Sequence, residues 1–243
     1  MIKTILIVIF LIIFFIISIP LFAIEWLIGK FNPNAKDISS LRIVQAAFKI
    51  ILFFCGIKTT VIGLENIPKD RPVLFIGNHR SLFDAVISYS LMPNVTGYVS
   101  KKEIARIPFL RVWMRYLHCI FLDRENIKEG LKSILLGIEK VKSGISIAIF
   151  PEGTRNSEDG ILPFKEGSFK IAEKSGCMLI PMVQNNTSSA FEDHFPRVKR
   201  THTVIEFGAP IDLTTLSKED RKSLGSYTHR IMLEIYEKNK ALV

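Results

Sequence analysis

Cysteine is scarce in this chain: Cys55, Cys119 and Cys177 are the only three in 243 residues, and they lie far apart at no metal-ligand spacing. An odd and scattered count argues against a disulfide framework and fits reduced, buried thiols. Acidic residues are also few, 23 Asp and Glu against 32 Lys and Arg, which leaves a formal net charge of +9. That balance favours anionic partners such as phospholipid headgroups, phosphorylated metabolites, coenzyme A or an acidic carrier protein. Nucleic acid is set aside, because the basic residues are spread along the chain and no binding motif accompanies them. The chain has no Gly-x-Ser-x-Gly elbow and no His-Glu-x-x-His cluster, so the common serine and metal hydrolase routes lack their residues. It shows no internal repeat, and no low-complexity linker divides 57–243 into two domains.

What is abundant is apolar. Hydrophobic residues make up 48% of the chain, an excess for a protein that meets only water. The run from Ile5 to Ile24 is uncharged and matches the roughly 20 residues that cross a bilayer as a helix. A cleaved signal peptide is the competing reading, but its apolar region would run to only about 7–15 residues, and no small-x-small cleavage site follows. Trp26 and Lys30 suit the membrane–water interface. A second apolar segment, Leu41 to Ile57, is interrupted by Arg42, Gln45 and Lys49 at helical spacings. One narrow polar stripe on an apolar helix predicts an interfacial helix, a helix packed beside the first, or a core helix. The expected division is therefore a membrane-anchoring 1–56 and a catalytic 57–243. Lys30, Lys36 and Arg42 outnumber Lys3 across the first segment, which places the remainder of the chain on the cytoplasmic side of an inner or cytoplasmic membrane.

Beyond Ile57 the pattern alternates. Strands are expected at Lys58–Ile62, Val73–Gly77, Gly97–Ser100, Ile120–Leu122, Ile145–Phe150, Met178–Val183 and Val204–Phe207. Helices are expected at Leu82–Leu91, Phe109–Leu117, Ile127–Lys142, Ser168–Ser175 and Lys218–Lys238. Such alternation predicts an α/β fold, a mixed and largely parallel sheet flanked by helices, preceded here by the hydrophobic helical anchor. Ligands of open α/β sheets gather beyond the carboxyl ends of the strands. The polar clusters fall there: Asn78-His79, Asp123-Arg124 and Glu152 to Arg155.

His79 and Asp84 stand five positions apart, and on an unbroken helix that is a turn of about 140°, so they would not share a face. With His79 in a loop and Asp84 in the first turn of a helix, the carboxylate reaches back to one imidazole nitrogen and fixes its tautomer. The other nitrogen is then free to take a proton, and with no protein nucleophile nearby that proton belongs to the substrate. Gly153 permits close backbone approach and Arg155 offers a planar fork suited to phosphate. Backbone amides near the helix start after His79, or around Gly153, are candidates for an oxyanion site. The glycosylation sequons at Asn94 and Asn185 carry no meaning in a chain whose donors are cytoplasmic.

Taken in order, Asn78-His79 with Asp84, then Ile120-Phe121-Leu122-Asp123-Arg124, then Phe150-Pro151-Glu152-Gly153-Thr154-Arg155, then Leu179-Ile180-Pro181, resemble the four blocks of the glycerolipid acyltransferase family. The resemblance runs from about Ile57 to Phe207. It implies transfer of a fatty acyl group, without a cofactor, from acyl-CoA or acyl-carrier protein to a lysophospholipid acceptor in the bilayer. The acceptor it points to first is the sn-2 hydroxyl of 1-acyl-sn-glycerol 3-phosphate, which would give phosphatidic acid. By the same resemblance His79 is the base and Asp84 its partner. Lys101, Arg124, Glu152, Gly153, Thr154 and Arg155 would belong to substrate binding, with Asn78 supporting the site. Arg111 and His118 stand where the family often shows Gly, which leaves another lysophospholipid open as acceptor. A lipid-surface thioesterase and a non-enzymatic anionic-lipid-binding module are the other readings.

Overall fold

A computed structural model describes residues 2–123 and 126–243. It opens with two long helices, α1 (Ile2–Phe31) and α2 (Pro33–Cys55). Asn32 caps α2 by accepting from the Ala35 amide at 3.0 Å, Pro33 occupies its first turn, and Gly56, left-handed at φ 71°, ends it. The two run antiparallel: Lys3 Nζ donates to the Cys55 carbonyl at 2.8 Å, and at the opposite end the buried Glu25 accepts from Ser39 Oγ and, at 2.9 Å, from Ser40 Oγ. Both are long and apolar enough to cross a membrane. On one flank α1 is docked, with Trp113 Nε1 donating to Ser18 Oγ at 2.9 Å and Phe14 and Phe22 packed on the Trp113 ring. On the other it exposes Ile5, Ile9, Ile12, Ile16 and Ile19.

The remainder alternates as expected: β1 (Lys58–Ile62), β2 (Leu74–Gly77), α3 (Phe83–Leu91), β3 (Thr96–Lys101), α4 (Pro108–Tyr116), β4 (Ile120–Leu122), α5 (Ile127–Lys142), β5 (Ser146–Ile149), α6 (Lys170–Ser175), β6 (Leu179–Asn185), β7 (His202–Phe207), α7 (Lys218–Lys222) and α8 (Leu224–Asn239). The strands form one sheet in the order β1-β7-β6-β2-β5-β3-β4. Every pairing is parallel except β6 with β7, where Met182 faces Phe207 and Asn185 faces Val204. Four of the five expected post-anchor helices are found nearly in place. The expected 218–238 helix is instead two, parted at Ser223, whose non-helical backbone (φ −118°, ψ 44°) ends α7 and starts α8.

The central strands are buried on both faces, so their sequences are largely apolar, with Ser146, Gln184 and Asn185 at strand ends. Alternate residues still divide the core. Phe75, Ala148, Ile180 and Met182 pack toward α2, α3 and α4 with Leu41, Val44, Ile87 and Trp113. Leu74, Ile76, Ile147, Ile149 and Val183 pack toward α5, α6 and α8 with Ile138, Ile171 and Met232. The polar stripe of α2 is split by this packing. Arg42 and Lys49 are exposed, whereas Gln45 is 4% exposed and donates to the Tyr89 and Met92 carbonyls at 3.2 and 2.8 Å. These carbonyls lie at the end of α3 and just beyond it, so α2 is bonded into the body along one face while its other face stays exposed.

Candidate active site

The site is built where β2 ends. Leu74–Gly77 are buried in the sheet, and at Asn78 the chain leaves it. The Asn78 side chain completes the ladder, donating through Nδ2 to the Gln184 carbonyl at 2.9 Å and accepting through Oδ1 from the Gln184 amide at 2.8 Å. Gly77 allows this exit, since a Cβ there would stand 2.6 Å from the Phe150 ring. His79 then stacks on Phe150, ring centroids 4.5 Å apart, with its side chain 19% exposed.

Asp84 lies in the first turn of α3 and is fully buried. Its Oδ2 accepts from His79 Nδ1 at 2.8 Å and from the amides of Arg80 and Ser81 at 2.6 and 2.7 Å. Its Oδ1 accepts from Thr187 Oγ1 at 2.5 Å. The loop-and-helix arrangement anticipated for the pair is therefore present. With Nδ1 turned to the carboxylate, Nε2 is the nitrogen left for chemistry. Thr187 escaped sequence reading because it is 103 positions away from Asp84 and stands out in the sequence only as the end of a glycosylation sequon.

Glu152 follows β5 and is 5% exposed. One oxygen accepts from the His79 amide at 2.6 Å and the other from the Leu162 amide at 2.9 Å. Burial raises its carboxyl to about pH 7 against the pull of those two amides. Both oxygens thus hold backbone, one of them directly behind the histidine. The Asn156 amide adds a bond to the His79 carbonyl at 2.7 Å.

His79, Phe150, Ser100, Lys101, Thr154 and Arg155 come together at the carboxyl edge of the sheet, around the polar part of a cavity of about 540 Å³. Its other walls are apolar and come from α1, α2, α3 and α4, through Leu11, Phe14, Phe15, Ala47, Phe48, Ile51, Tyr89 and Trp113. Lys101, Thr154 and Arg155 are exposed at its rim. Gly153 has a left-handed φ of 75° and a Cβ there would stand 2.7 Å from Lys165 Nζ, so glycine is what this turn accepts. Arg155 Nη1 donates to Glu192 Oε1 at 3.1 Å, and Glu192 also takes Ser81 Oγ at 2.6 Å and the Leu82 amide at 2.8 Å. Glu192 is a second residue that sequence reading missed.

One expectation is corrected here. The amides at the start of α3 are occupied: Arg80 and Ser81 donate to Asp84, Leu82 to Glu192, Phe83 to Ser81 Oγ and Asp84 to the Ser81 carbonyl. They offer no oxyanion site. His118 lies away from the cavity lining, with Nε2 2.7 Å from Asp37 Oδ2 on α2, and its backbone is left-handed at φ 58°. The conformation explains why glycine suits that position. Arg124 lies outside the described residues, while the neighbouring Asp123 pairs with Lys102 at 2.6 Å. Cys55 and Cys177 are buried, and burial moves the Cys119 thiol up to about 11. Among the described residues no cluster of three His, Cys, Asp or Glu is arranged to hold a metal ion.

A histidine braced by a carboxylate, at the carboxyl edge of a largely parallel sheet and beside an apolar chamber, is the equipment of an α/β transferase for acyl groups. The chain belongs to the acyltransferase family, whose model matches residues 58–185. It is 33% identical over 187 residues to the 1-acyl-sn-glycerol-3-phosphate acyltransferase of Borreliella burgdorferi, covering 77% of this chain and 75% of that one. It is 32% identical over 203 residues to the enzyme of the same name from Haemophilus influenzae, covering 81% and 82%. The crystal structure of the 1-acyl-sn-glycerophosphate (LPA) acyltransferase of Thermotoga maritima shares the fold, with a TM-score of 0.76 at 23% identity over 99% of this chain and 98% of that one. The expected α/β class with two leading apolar helices is thus the fold of this family.

Proposed function

We propose that this O-acyltransferase moves a fatty acyl group from an acyl-CoA or acyl-carrier-protein thioester to the sn-2 hydroxyl of 1-acyl-sn-glycerol 3-phosphate, giving phosphatidic acid. The observation that carries the reading is the 2.8 Å contact of His79 Nδ1 with the fully buried Asp84, at the polar part of the large apolar cavity. His79 Nε2 takes the proton of the acceptor hydroxyl as its oxygen attacks the thioester carbonyl. The tetrahedral centre collapses, the C–S bond breaks, and the thiolate leaves with its electron pair and then takes the proton from the imidazolium. A thiol near pKa 8.5 departs with little acid assistance, so one base suffices. Asp84 keeps Nε2 unprotonated at rest and steadies the ring when it is charged.

Lys101 and Arg155 stand at the rim with charge for the acceptor phosphate, Arg155 through its fork. Gly153 and Thr154 shape the rim, while Glu152 acts behind His79 by holding its amide and Asn78 fixes the start of the loop by bonding Gln184 of β6. The apolar walls take the acyl chain. Because α1 supplies Leu11, Phe14 and Phe15 to those walls, we assign it to the working enzyme and not to a removable leader. Residues 1–56 are the membrane anchor and 57–243 the catalytic domain, which faces the cytoplasm.

The test is thiol release from a long-chain acyl-CoA by the detergent-purified protein, with and without lysophosphatidic acid, for the native chain and His79→Ala. Release that requires the acceptor, yields phosphatidic acid and vanishes in His79→Ala is expected. Release indifferent to the acceptor would make the protein a thioesterase and overturn the reading.

A further inference from the structure

The turn after β6 brings an unassigned group to the catalytic pair. Asn185 ends the strand with its side chain buried and donating to the Tyr236 carbonyl at 2.9 Å. Asn186 adopts a left-handed φ of 61° and donates through Nδ2 to the His202 carbonyl at 2.9 Å, a conformation asparagine tolerates better than most residues. The reversal delivers Thr187, 1% exposed, onto Asp84. The sequon that begins at Asn185 is therefore enclosed within the fold, and its threonine serves an internal contact.

The two oxygens of Asp84 are unequally supplied. Oδ2 has three donors, whereas Oδ1 has Thr187 Oγ1 as its one hydrogen-bond partner among the described residues. A buried carboxylate oxygen without a donor is costly, and hydrogen bonds to charged groups are among the stronger ones. We propose that Thr187 is a positioning residue for the acyl transfer, whose hydroxyl holds the Asp84 carboxylate aimed at His79. The inference rests on the His79 base of the proposed function.

Removing the hydroxyl acts in one direction by either of two routes. If Asp84 stays ionised, its less solvated charge binds the imidazolium more strongly, and His79 becomes harder to deprotonate. If Asp84 instead takes up a proton more readily, active enzyme requires a higher pH. Both move the acid limb of kcat/KM upward.

The experiment measures kcat/KM against pH for acceptor-dependent thiol release by the full chain in detergent, for native protein, Thr187→Val, Thr187→Ala and Thr187→Ser. Alongside it, carbethoxylation of His79 is followed against pH by peptide mass. Thr187→Val and Thr187→Ala should lose about 10- to 100-fold at neutral pH and carry the acid limb upward by about one unit, with the His79 modification profile moving alike. Thr187→Ser should restore both. If the rate falls while neither profile moves, Thr187 serves only to fill space and the proposal fails; native behaviour of Thr187→Val also sinks it. Should one replacement not fold, the other carries the same comparison. His79→Ala that kept full activity would instead overturn the proposed base, while the modification profile would still report on Thr187 and Asp84.

Discussion

Replacing Asp84 by Asn separates the charge of this residue from its geometry. Three donors converge on Oδ2, two of them backbone amides that cannot turn, while Oδ1 meets a hydroxyl that rotates and can accept as readily as donate. The asparagine will therefore place its carbonyl at the Oδ2 position and its amide group toward Thr187, and the histidine keeps its tautomer. What is lost is the attraction between carboxylate and imidazolium, about 4 kcal/mol for unit charges 4 Å apart at an effective dielectric near 20. That corresponds to a fall in kcat on the order of 10³, with melting temperature little changed. The histidine also loses the partner that favours its charged form, so the acid limb of kcat/KM moves to lower pH, opposite to the shift expected for Thr187→Val. Thiol release followed from pH 5 to 8, with a thermal melt on each sample, measures both. An Asp84→Asn enzyme with native kcat, or one whose acid limb rises, would refute the reasoning.

Two further predictions concern other parts of the fold. Glu152 has its folded pKa raised from 4.5 to about 7, so the native state binds its proton more tightly than the unfolded chain. The associated stability is full below about pH 4.5 and is lost as pH rises through 7, by roughly 3 kcal/mol; melts between pH 5 and 8 should show this slope, flattened in Glu152→Gln. Ala47 lines the apolar wall, and Ala47→Leu should depress turnover of long acyl chains at least about tenfold more than that of short ones, since even one methylene of apolar pocket is worth about 1–3 kcal/mol. A chain-length series of acyl-CoA donors checks it, with uniform loss across the series as the contrary result.

The parts legible in the sequence are those in which neighbours in the chain are neighbours in the fold. The strands are visible because buried parallel strands are largely apolar, and the His79–Asp84 relation because both members lie on one loop and the helix it starts. Thr187 and Glu192 were invisible for the opposite reason: they reach the loop from beyond β6, and a single Thr or Glu in a polar stretch carries no periodic signal. Gln45 reads as one point of a polar stripe, since spacing cannot reveal that the Tyr89 and Met92 carbonyls at the end of α3 await it. Glu152 shows a related limit, because a motif names a residue without saying which way it faces, and here it faces backbone. The break at Ser223 goes unseen because serine is no strong helix breaker and the nearby Gly225 lies inside α8.

The Asn78 side chain copies, atom for atom, the donor and acceptor that another strand residue would have presented to Gln184. The main chain is thereby released from the sheet one residue early, and β6 still meets a complete partner. An aspartate in the same place would keep the acceptor and turn the donor into a second acceptor facing the Gln184 carbonyl. The sheet would then be left with two facing lone pairs at its centre. The course of the His79 loop is in this way independent of sheet pairing, and the loop can be shaped for its chemistry while the scaffold beneath it stays unaltered.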